Sequence, residues 1–448
     1  MRAEPSFVKP RRGIPVPMNE RVKGGFLGLA VGDCLGAPVE GMPAWEIAKR
    51  FERVTEILDP FEVWAARPER GRLRGLHTDD TQQAWMVADV LLANGRVVPE
   101  QLAARFVSFA HPRPDLPRGL HRGTGKFFRA SVEKLAAGTP PLEAGADSAG
   151  NGAAMRVAPI GLRLAGDLDA LVRSALLASA ITHADARALE SAAALAALVA
   201  ALIQDAPPTG LRPCVEAALA GARKAEELLA AGDPVTLSAE ARKYSGACRE
   251  VLAGLLVRSD LPDAEFFREL ANLAAKHSPT RKVKRASDAF ALASVSAAIA
   301  ITARASSFRE ALETAVNLGE DTDTLGAMTG ALAGARFGAG AIPPEWLAAM
   351  VAVDALTQVA EALAGGAAAP AQEPLEETWT RLEHAEGARR AELADEDDDF
   401  DEDEDEDEDD EVEEPAGEDD DVLEDDVDED DVLEDDGDEP KKDKPKKP

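Results

Sequence analysis

Apolar residues follow a helical period along most of the chain. Trp85, Ala88 and Leu92 lie three and four residues apart, and Gly95 follows them, which predicts a helix over residues 82–93. The same reasoning predicts helices over residues 127–137, 168–180, 186–203, 215–231, 238–256, 263–275, 286–305, 308–317 and 346–363. Alanine and leucine favour helices, and runs typical of strands are scarce. The pattern predicts an all-α fold.

Glycine recurs at every fourth residue in two stretches. The first contains Gly24, Gly28, Gly32 and Gly36, and the second contains Gly326, Gly330, Gly334 and Gly338. On a helix this spacing forms a smooth stripe along which another backbone can approach closely. Each glycine costs a helix about 1 kcal/mol relative to alanine. The repeated spacing therefore indicates tightly packed helices, with a helix end near residue 36.

Charge divides the chain into a nearly neutral body and an acidic tail. The chain has 83 acidic and 49 basic residues, and residues 395–448 hold 35 of the acidic residues with only 5 lysines. We predict a flexible arm at residues 1–20 and a single compact multi-helix domain at 21–365. A linker with an isolated charged helix is expected at 366–394, followed by a disordered acidic tail at 395–448. The tail is a solubilising extension or, alternatively, a contact site for basic partners.

Cysteine usage and hydropathy bear on the compartment. Cys34, Cys214 and Cys248 are far apart and form no CxxC motif, so we predict neither a zinc site nor a disulfide framework. A reducing, cytoplasmic setting fits. We find no signal peptide in residues 1–17. The longest apolar run, 191–203, is 13 residues, too short for a membrane span, and no nucleic-acid-binding signal is evident.

Two acidic motifs carry the clearest chemistry. The first is His77-Thr78-Asp79-Asp80-Thr81, and the second, about 240 residues later, is Asp321-Thr322-Asp323-Thr324. Their four aspartates would repel one another if they met without a cation, and hard oxygen ligands select Mg²⁺, Mn²⁺ or Ca²⁺. Two such ions could share these ligands and activate a water. The alternative is that each motif only caps a helix.

Two further acidic residues are candidates for the same site. Glu40 follows the first glycine stretch beside Pro38. It could orient or deprotonate a metal-bound water, or it could be a solvated loop residue. Asp33 lies inside an apolar helix, where an unpaired carboxylate is unfavourable. We expect it to cap, to pair or to approach the metal site.

A glycine-rich turn and a histidine are weaker candidates. Gly150-Asn151-Gly152 offers backbone N–H groups in an exposed turn, which can cradle phosphate or can simply be a turn. His183 opens a helix and could bind a ligand, or it could be a packing residue. We interpret Arg156 as structural, bonding to carbonyl groups at a helix end.

In their order and spacing, these motifs resemble the ADP-ribosylglycohydrolase family. The resemblance spans about residues 21–350 and includes Gly28-x-x-x-Gly32-Asp33 and Ile342-Pro343-x-Glu345-Trp346. It implies an all-α fold with two divalent cations, Mg²⁺ or Mn²⁺, at the base of a cleft. It also implies hydrolysis of the glycosidic bond between ADP-ribose and a side chain or small acceptor. The expected partner is an ADP-ribosylated protein or small molecule.

The resemblance also assigns site residues. The implied metal ligands are Thr78, Asp79, Asp80, Asp321, Asp323 and Thr324. The implied catalytic residues are Glu40, Asp80 and Asp323. The implied substrate-binding residues are Asp33, Gly150, Asn151, Gly152 and His183.

Two positions depart from the family pattern. Glu320 stands where the family usually has glycine, so its side chain could crowd the metals or add a charge. Ala149 stands where some members have an aromatic residue that stacks on adenine. These departures motivate the alternative function, a non-catalytic ADP-ribose-binding or structural member of the family.

Overall fold

The computed structural model describes residues 16–67, 70–114, 116, 119–279, 282–365 and 375–398. Within these residues the chain forms eighteen α-helices and a few 3₁₀ turns, and its only β-structure is isolated bridges, which confirms the all-α prediction. The helices are α1 Met18–Gly36, α2 Ala44–Phe51, α3 Pro60–Val63, α4 Asp79–Asn94, α5 Pro99–Ala110, α6 Lys126–Ala136, α7 Ala158–Arg163, α8 Leu168–Ala180, α9 Ala186–Leu202, α10 Leu211–Ala231, α11 Ala247–Leu256, α12 Asp263–Ala275, α13 Ala291–Arg304, α14 Phe308–Val316, α15 Thr322–Phe337, α16 Pro344–Ala349, α17 Val353–Leu363 and α18 Leu375–Asp398.

The chain divides into one compact unit that ends at Asp395 and a second unit from Glu396 to Pro448. Three of the predicted segments lie outside the described residues in whole or in part. These are the N-terminal arm up to residue 15, the linker at 366–374 and the acidic tail beyond residue 398.

Helices α1 and α15 form an antiparallel pair at the centre of the body, and the two glycine stretches pack against each other. A Cβ atom added to Gly32 would lie 2.0 Å from the carbonyl oxygen of Gly326. One added to Gly330 would lie 2.0 Å from the carbonyl oxygen of Gly28. No side chain fits at these distances, so the predicted close packing is confirmed. Gly338 is the one glycine of the two stretches that lies outside these helices, because α15 ends at Phe337 and Gly338 is its C-terminal cap.

This pairing determines where the two ends of the helices lie. At the last contact, a Cβ atom on Gly36 would be 2.2 Å from the carbonyl oxygen of Thr322. The end of α1 therefore meets the start of α15. Because Glu40 follows α1 and Asp321 precedes α15, the pair brings these two carboxylates to the same end.

One stretch among the described residues, Met18–Val39, is long and apolar enough to cross a membrane. Its mean hydropathy is 1.2, and 89% of the apolar window is buried inside the body. The sequence expectation did not single out this stretch. Its apolar character is accounted for by the packing of α1 along α15 in the core.

Several helix boundaries match the expectation and others do not. Helices α8 and α12 have the predicted ends. Helix α11 begins at Ala247 rather than at residue 238, because Gly246 has a φ of 85°, which interrupts a helix. The predicted last helix of the body is two helices, α16 and α17, separated at Ala352, whose φ is 57°.

Helix α18 is not the isolated charged helix that the sequence predicted. Trp379 is fully buried, and its ring lies 4.5 Å from the ring of His77 in an edge-to-face arrangement. Leu382 and Glu386 are buried on the same face. This buried face was not predicted from the sequence, because the face contains only two large apolar residues and a glutamate within a strongly charged segment. The helix is part of the body.

Candidate active site

Asp33 hydrogen-bonds to two residues of the first acidic motif. It is fully buried, and its carboxylate accepts hydrogen bonds from the Thr78 N–H at 3.0 Å, the Thr81 N–H at 3.1 Å and the Thr81 hydroxyl at 2.6 Å. Burial raises its pKa to about 6, although these hydrogen bonds lower it. The expectation that Asp33 would pair is therefore confirmed, because its carboxylate holds Thr78 and Thr81 of the first motif. Its assignment to substrate binding stays a prediction.

The two acidic motifs meet at Asp80. Its Oδ2 atom accepts hydrogen bonds from the hydroxyls of Thr78 and Thr324, both at 3.3 Å. Thr78 is also the N-cap of α4, so the capping interpretation holds for this residue. Asp321 precedes α15 but makes no side-chain capping hydrogen bond. Capping therefore does not account for the second motif.

A cluster of carboxylates surrounds this junction. Glu40, Asp321 and Asp323 each offer an oxygen within 4.8 Å of the other two. The Oδ1 atom of Asp80 is buried and has no hydrogen-bond partner in the part of the chain that the structure describes. Burial, followed by the charges of neighbouring carboxylates, raises the pKa of Asp80 and Asp323 well above its ordinary value. An all-oxygen set with a buried orphan oxygen fits a hard divalent cation.

Glu40 belongs to this cluster rather than to a solvated loop. A 3₁₀ turn over Ala37–Val39 leads from α1 to this residue, which is half-buried. Burial and the charge of Asp321 raise its pKa to about 7. The sequence assigned Glu40 to catalysis alone, and the geometry adds it to the candidate metal ligands.

Asp79 is held by its neighbours on two sides. Its N–H donates to the carbonyl oxygen of Arg122 at 2.9 Å, and the side-chain amide of Gln83 donates to its Oδ2 atom. Sequence reasoning missed Gln83. The signal was present, since residues four apart lie on the same face of a helix.

Asn151 connects the glycine-rich turn to the second motif. Its side-chain amide donates to Asp321 at 2.5 Å and to the Ser294 hydroxyl at 3.2 Å. Gly150 and Gly152 are half-buried and Asn151 is only 6% exposed, so the turn that we expected to be exposed is partly buried. It is buried because the 3₁₀ turn Asn151–Ala153 packs against α9 and α13.

His183 lies against the two glycines of this turn. A Cβ atom on Gly152 would be 3.2 Å from its ring, and one on Gly150 would be 3.5 Å away. The Nδ1 atom is 2.8 Å from the Thr182 hydroxyl. Burial, together with the charge of Arg156, lowers the pKa of His183 to about 3. The structure therefore places a neutral imidazole beneath the turn.

Arg156 has the structural role that the sequence suggested. It is fully buried, and its Nε atom donates to the carbonyl oxygen of Gly152 at 2.8 Å. Burial lowers its pKa to about 10, while the charges of Asp79 and Asp80 raise it. The guanidinium thus stabilises the turn and partly balances the carboxylates.

Glu320, the departure from the family pattern, does not crowd the cluster. Its side chain forms an ion pair with Arg285. Its backbone is anchored by hydrogen bonds of 2.8 Å to the Met42 carbonyl and from the Gly41 N–H. One of the two reasons for suspecting a non-catalytic protein is therefore weakened.

A cavity adjoins the cluster at Glu40 and Thr78. The other charged or aromatic side chains that line it are Trp64, Arg70, Arg72, His77 and Arg122. The guanidinium of Arg70 stacks on the Trp64 ring, with its Cζ atom 4.0 Å from the ring centre. The cavity thus places cationic groups beside an anionic cluster, a combination that suits a ligand with anionic groups.

The fold and this arrangement agree with the family that the motifs resemble. A sequence model of the ADP-ribosylglycohydrolase family matches residues 15–373. The chain therefore belongs to the ADP-ribosylglycohydrolase family. Membership makes it a glycosidase-type hydrolase that acts on linkages to ADP-ribose.

Individual relatives are similar over most of their length. The chain is 29% identical to ADP-ribosylhydrolase ARH3 of Bos taurus over 333 residues, 73% of this chain and 87% of that protein. It is 28% identical to ADP-ribosyl-[dinitrogen reductase] glycohydrolase of Rhodospirillum rubrum, over 74% of this chain and 90% of the relative. A solved structure described as an ADP-ribosylglycohydrolase-related protein complex is 31% identical, with a TM-score of 0.54. The alignment covers 78% of this chain and 98% of the chain in that structure.

Proposed function

We propose that this protein hydrolyses the glycosidic bond between ADP-ribose and a protein side chain or small acceptor, with two Mg²⁺ or Mn²⁺ ions at the acidic cluster. The observation that carries the proposal is the junction of the two motifs. Thr324 donates to Asp80, which is 244 positions away in the sequence. The other carboxylate oxygen of Asp80 is buried and has no hydrogen-bond partner among the described residues. The name of the relative ADP-ribosylarginine hydrolase Tri1 of Pseudomonas putida, 25% identical, supports a modified protein as substrate.

The residues that would hold the ions are side-chain oxygens from both motifs together with Glu40. They are Glu40, Thr78, Asp79, Asp80, Asp321, Asp323 and Thr324. When bound, divalent cations supply positive charge that can hold ribose hydroxyls and lower the pKa of a water. Asp33 and Asn151 do not hold the ions themselves. They hydrogen-bond to Thr78 and Asp321, respectively, and hold these two ligands in position.

Glu40 is the proposed general base. An oxygen of its carboxylate lies within 4.8 Å of an oxygen of Asp321 and of Asp323, and Glu40 also lines the adjoining cavity, so the carboxylate can reach a water held at the cluster. It takes a proton from the water as the water oxygen bonds to the anomeric carbon. The bond from that carbon to the acceptor breaks, and the acceptor leaves with the bonding electrons and takes up the proton that Glu40 has accepted, which returns Glu40 to its carboxylate form. The turn at 150–152 with His183 lines the ADP-ribose site, and the cationic cavity takes the anionic groups of the substrate.

Removing one carboxylate from each motif tests this function. We expect Asp80→Asn and Asp323→Asn to weaken Mn²⁺ binding in calorimetry and to lower ADP-ribose release by at least about 100-fold, because each removes a buried charge from the ion site. The control is Glu216→Gln, which removes a carboxylate whose side chain is 59% exposed on α10. Unchanged Mn²⁺ binding and turnover in both site variants would contradict the proposal.

A panel of ADP-ribosylated substrates distinguishes the proposed hydrolase from the non-catalytic alternative. It contains arginine- and serine-ADP-ribosylated peptides and O-acetyl-ADP-ribose, each assayed with Mg²⁺, Mn²⁺ and a chelator. Release from at least one substrate, abolished by the chelator, is expected. Calorimetric binding of ADP-ribose without release from any substrate would select the non-catalytic alternative.

We also propose a reducing, cytoplasmic setting, supported by three unpaired cysteine thiols.

A further inference from the structure

The last described helix lies beyond the part of the chain that the family shares. The family match ends at residue 373, and α18 begins at Leu375. Its buried face nevertheless contacts the two loops on either side of the first acidic motif, residues 71–77 and 120–123. We propose that α18 is a positioning element of the metal centre, a helical clasp that holds these loops in the arrangement the ligands need. This inference rests on the proposed metal centre.

The first loop leads directly into the motif. Trp379 of α18 is fully buried against the ring of His77, and His77 immediately precedes Thr78. The Leu73 N–H donates to Glu386 at 3.2 Å. Neither ring nitrogen of His77 has a hydrogen-bond partner among the described residues. The ring is therefore held by its packing against Trp379 rather than by polar contacts.

The second loop is connected to both α18 and the motif through one residue. The Arg122 guanidinium forms ion pairs with Glu383 and Glu386, and the Arg122 and Glu386 side chains are only 5% and 6% exposed. The backbone of Arg122 accepts from the Asp79 N–H at 2.9 Å and donates to the Gln82 side chain at 3.2 Å. Arg122 thus contacts α18 with its side chain and the start of α4 with its backbone.

This arrangement couples the helix to the ligand Asp79. If Glu386 is removed, the buried guanidinium of Arg122 keeps Glu383 but loses the more buried of its two counter-charges, and a poorly compensated buried charge is unfavourable. The loop can relieve this by moving Arg122 toward water. The same movement would weaken the Arg122–Asp79 backbone hydrogen bond and shift a candidate metal ligand. Substitution of a residue that hydrogen-bonds to a metal ligand typically changes the affinity for the metal by about 10–100-fold.

The test uses the full chain with Glu386→Ala and Trp379→Ala. We expect Mn²⁺ affinity in calorimetry to fall by about tenfold or more, and excess Mn²⁺ to restore turnover. Hydrogen exchange is expected to rise at residues 71–83 and 120–123 but not in α9. Glu392→Ala is the matched control, since this glutamate lies on the same helix, is 64% exposed and pairs only with Arg389 among the described contacts.

The outcomes separate this inference from the proposed function. If the parent chain binds Mn²⁺ and Glu386→Ala matches Glu392→Ala in affinity and exchange, the assignment of α18 is wrong and the hydrolase proposal stands. If the parent chain binds no Mn²⁺, the metal centre itself is wrong and the assignment fails with it. Where the alanine variants do not fold, Glu386→Gln and Trp379→Phe replace them. A tenfold loss of affinity in Glu386→Gln at an unchanged melting temperature supports the clasp.

Discussion

Glu320 shows how one residue can depart from a family pattern without losing the geometry of the site. Its φ of 62° lies in the left-handed region, which glycine adopts most easily. The backbone here must turn sharply, because the Glu320 N–H and carbonyl group both hydrogen-bond to the segment at 41–42. The pair with Arg285 offsets part of this strain and engages the side-chain carboxylate of Glu320 with a cation.

We predict that Glu320→Gly changes the free energy of unfolding by no more than about 1 kcal/mol. Glycine removes a backbone strain of about 1 kcal/mol, and the lost, partly exposed ion pair was worth about 0–1 kcal/mol. Mn²⁺ affinity should be unchanged. Urea unfolding and calorimetry measure the two quantities. Glu320→Val is the contrasting variant and should destabilise the fold, since a β-branched residue fits poorly at this φ. A loss of Mn²⁺ affinity in Glu320→Gly would mean that the glutamate contributes to the site.

At the scale of the elements, the pairing of α1 with α15 places the site. The glycine stretches let two backbones approach without side chains between them. The ends of these helices therefore lie close together, and the residues just beyond them, Glu40 and Asp321, join the same cluster. The close contact explains why glycine occurs repeatedly inside helices where alanine would be intrinsically more stable.

We predict that Gly330→Ala destabilises the protein by at least about 2 kcal/mol, because its methyl group would overlap the carbonyl oxygen of Gly28 and force the helices apart. Mn²⁺ affinity should fall as well, since the start of α15 would shift. The matched control is Gly387→Ala in α18. A Cβ atom on Gly387 meets no other atom within 4 Å, so this change should stabilise by about 0.5–1 kcal/mol. Equal effects of both substitutions on chemical denaturation would refute the close-packing explanation.

At the scale of the whole molecule, one buried carboxylate outside the site affects the pH dependence of stability. Glu190 on α9 is fully buried and accepts hydrogen bonds from the Gly246 N–H at 2.9 Å and the Ser245 hydroxyl at 2.8 Å. Burial raises its pKa from 4.5 to about 7. Between these values the folded protein keeps a proton that the unfolded chain releases. The contribution of Glu190 to stability is therefore greatest below pH 4.5 and is lost as the pH rises to about 7.

We predict that Glu190→Gln stabilises the protein at pH 8 by up to roughly 3 kcal/mol, since it removes the requirement to ionise a buried group. Glutamine retains an oxygen that can accept the hydrogen bond from the Gly246 N–H. The advantage should disappear at pH 4.5, where the native carboxyl is protonated. Urea unfolding at the two pH values gives the comparison, with Glu216→Gln as an exposed control. An advantage that does not depend on pH would contradict the buried-charge explanation.

The sequence by itself determined the helical fold and the chemical character of the site. The helical period, the four-residue glycine spacing and the paired Asp-Thr motifs are local properties, and local spacing sets which residues share a helix face. The motifs in their order were sufficient to indicate a family. They did not show that the Asp33 carboxylate holds Thr78 and Thr81, or that Glu40 joins the carboxylate cluster.

Only the tertiary structure decided these assignments, because they depend on contacts between residues far apart in the chain. Asn151 donates to Asp321, and Glu320 pairs with Arg285. Helix α18 illustrates the reason most clearly. Its buried face contains a glutamate whose partner, Arg122, lies 264 positions away. A charged side chain appears solvated in the sequence, and it becomes an interior residue only when folding supplies its counter-charge.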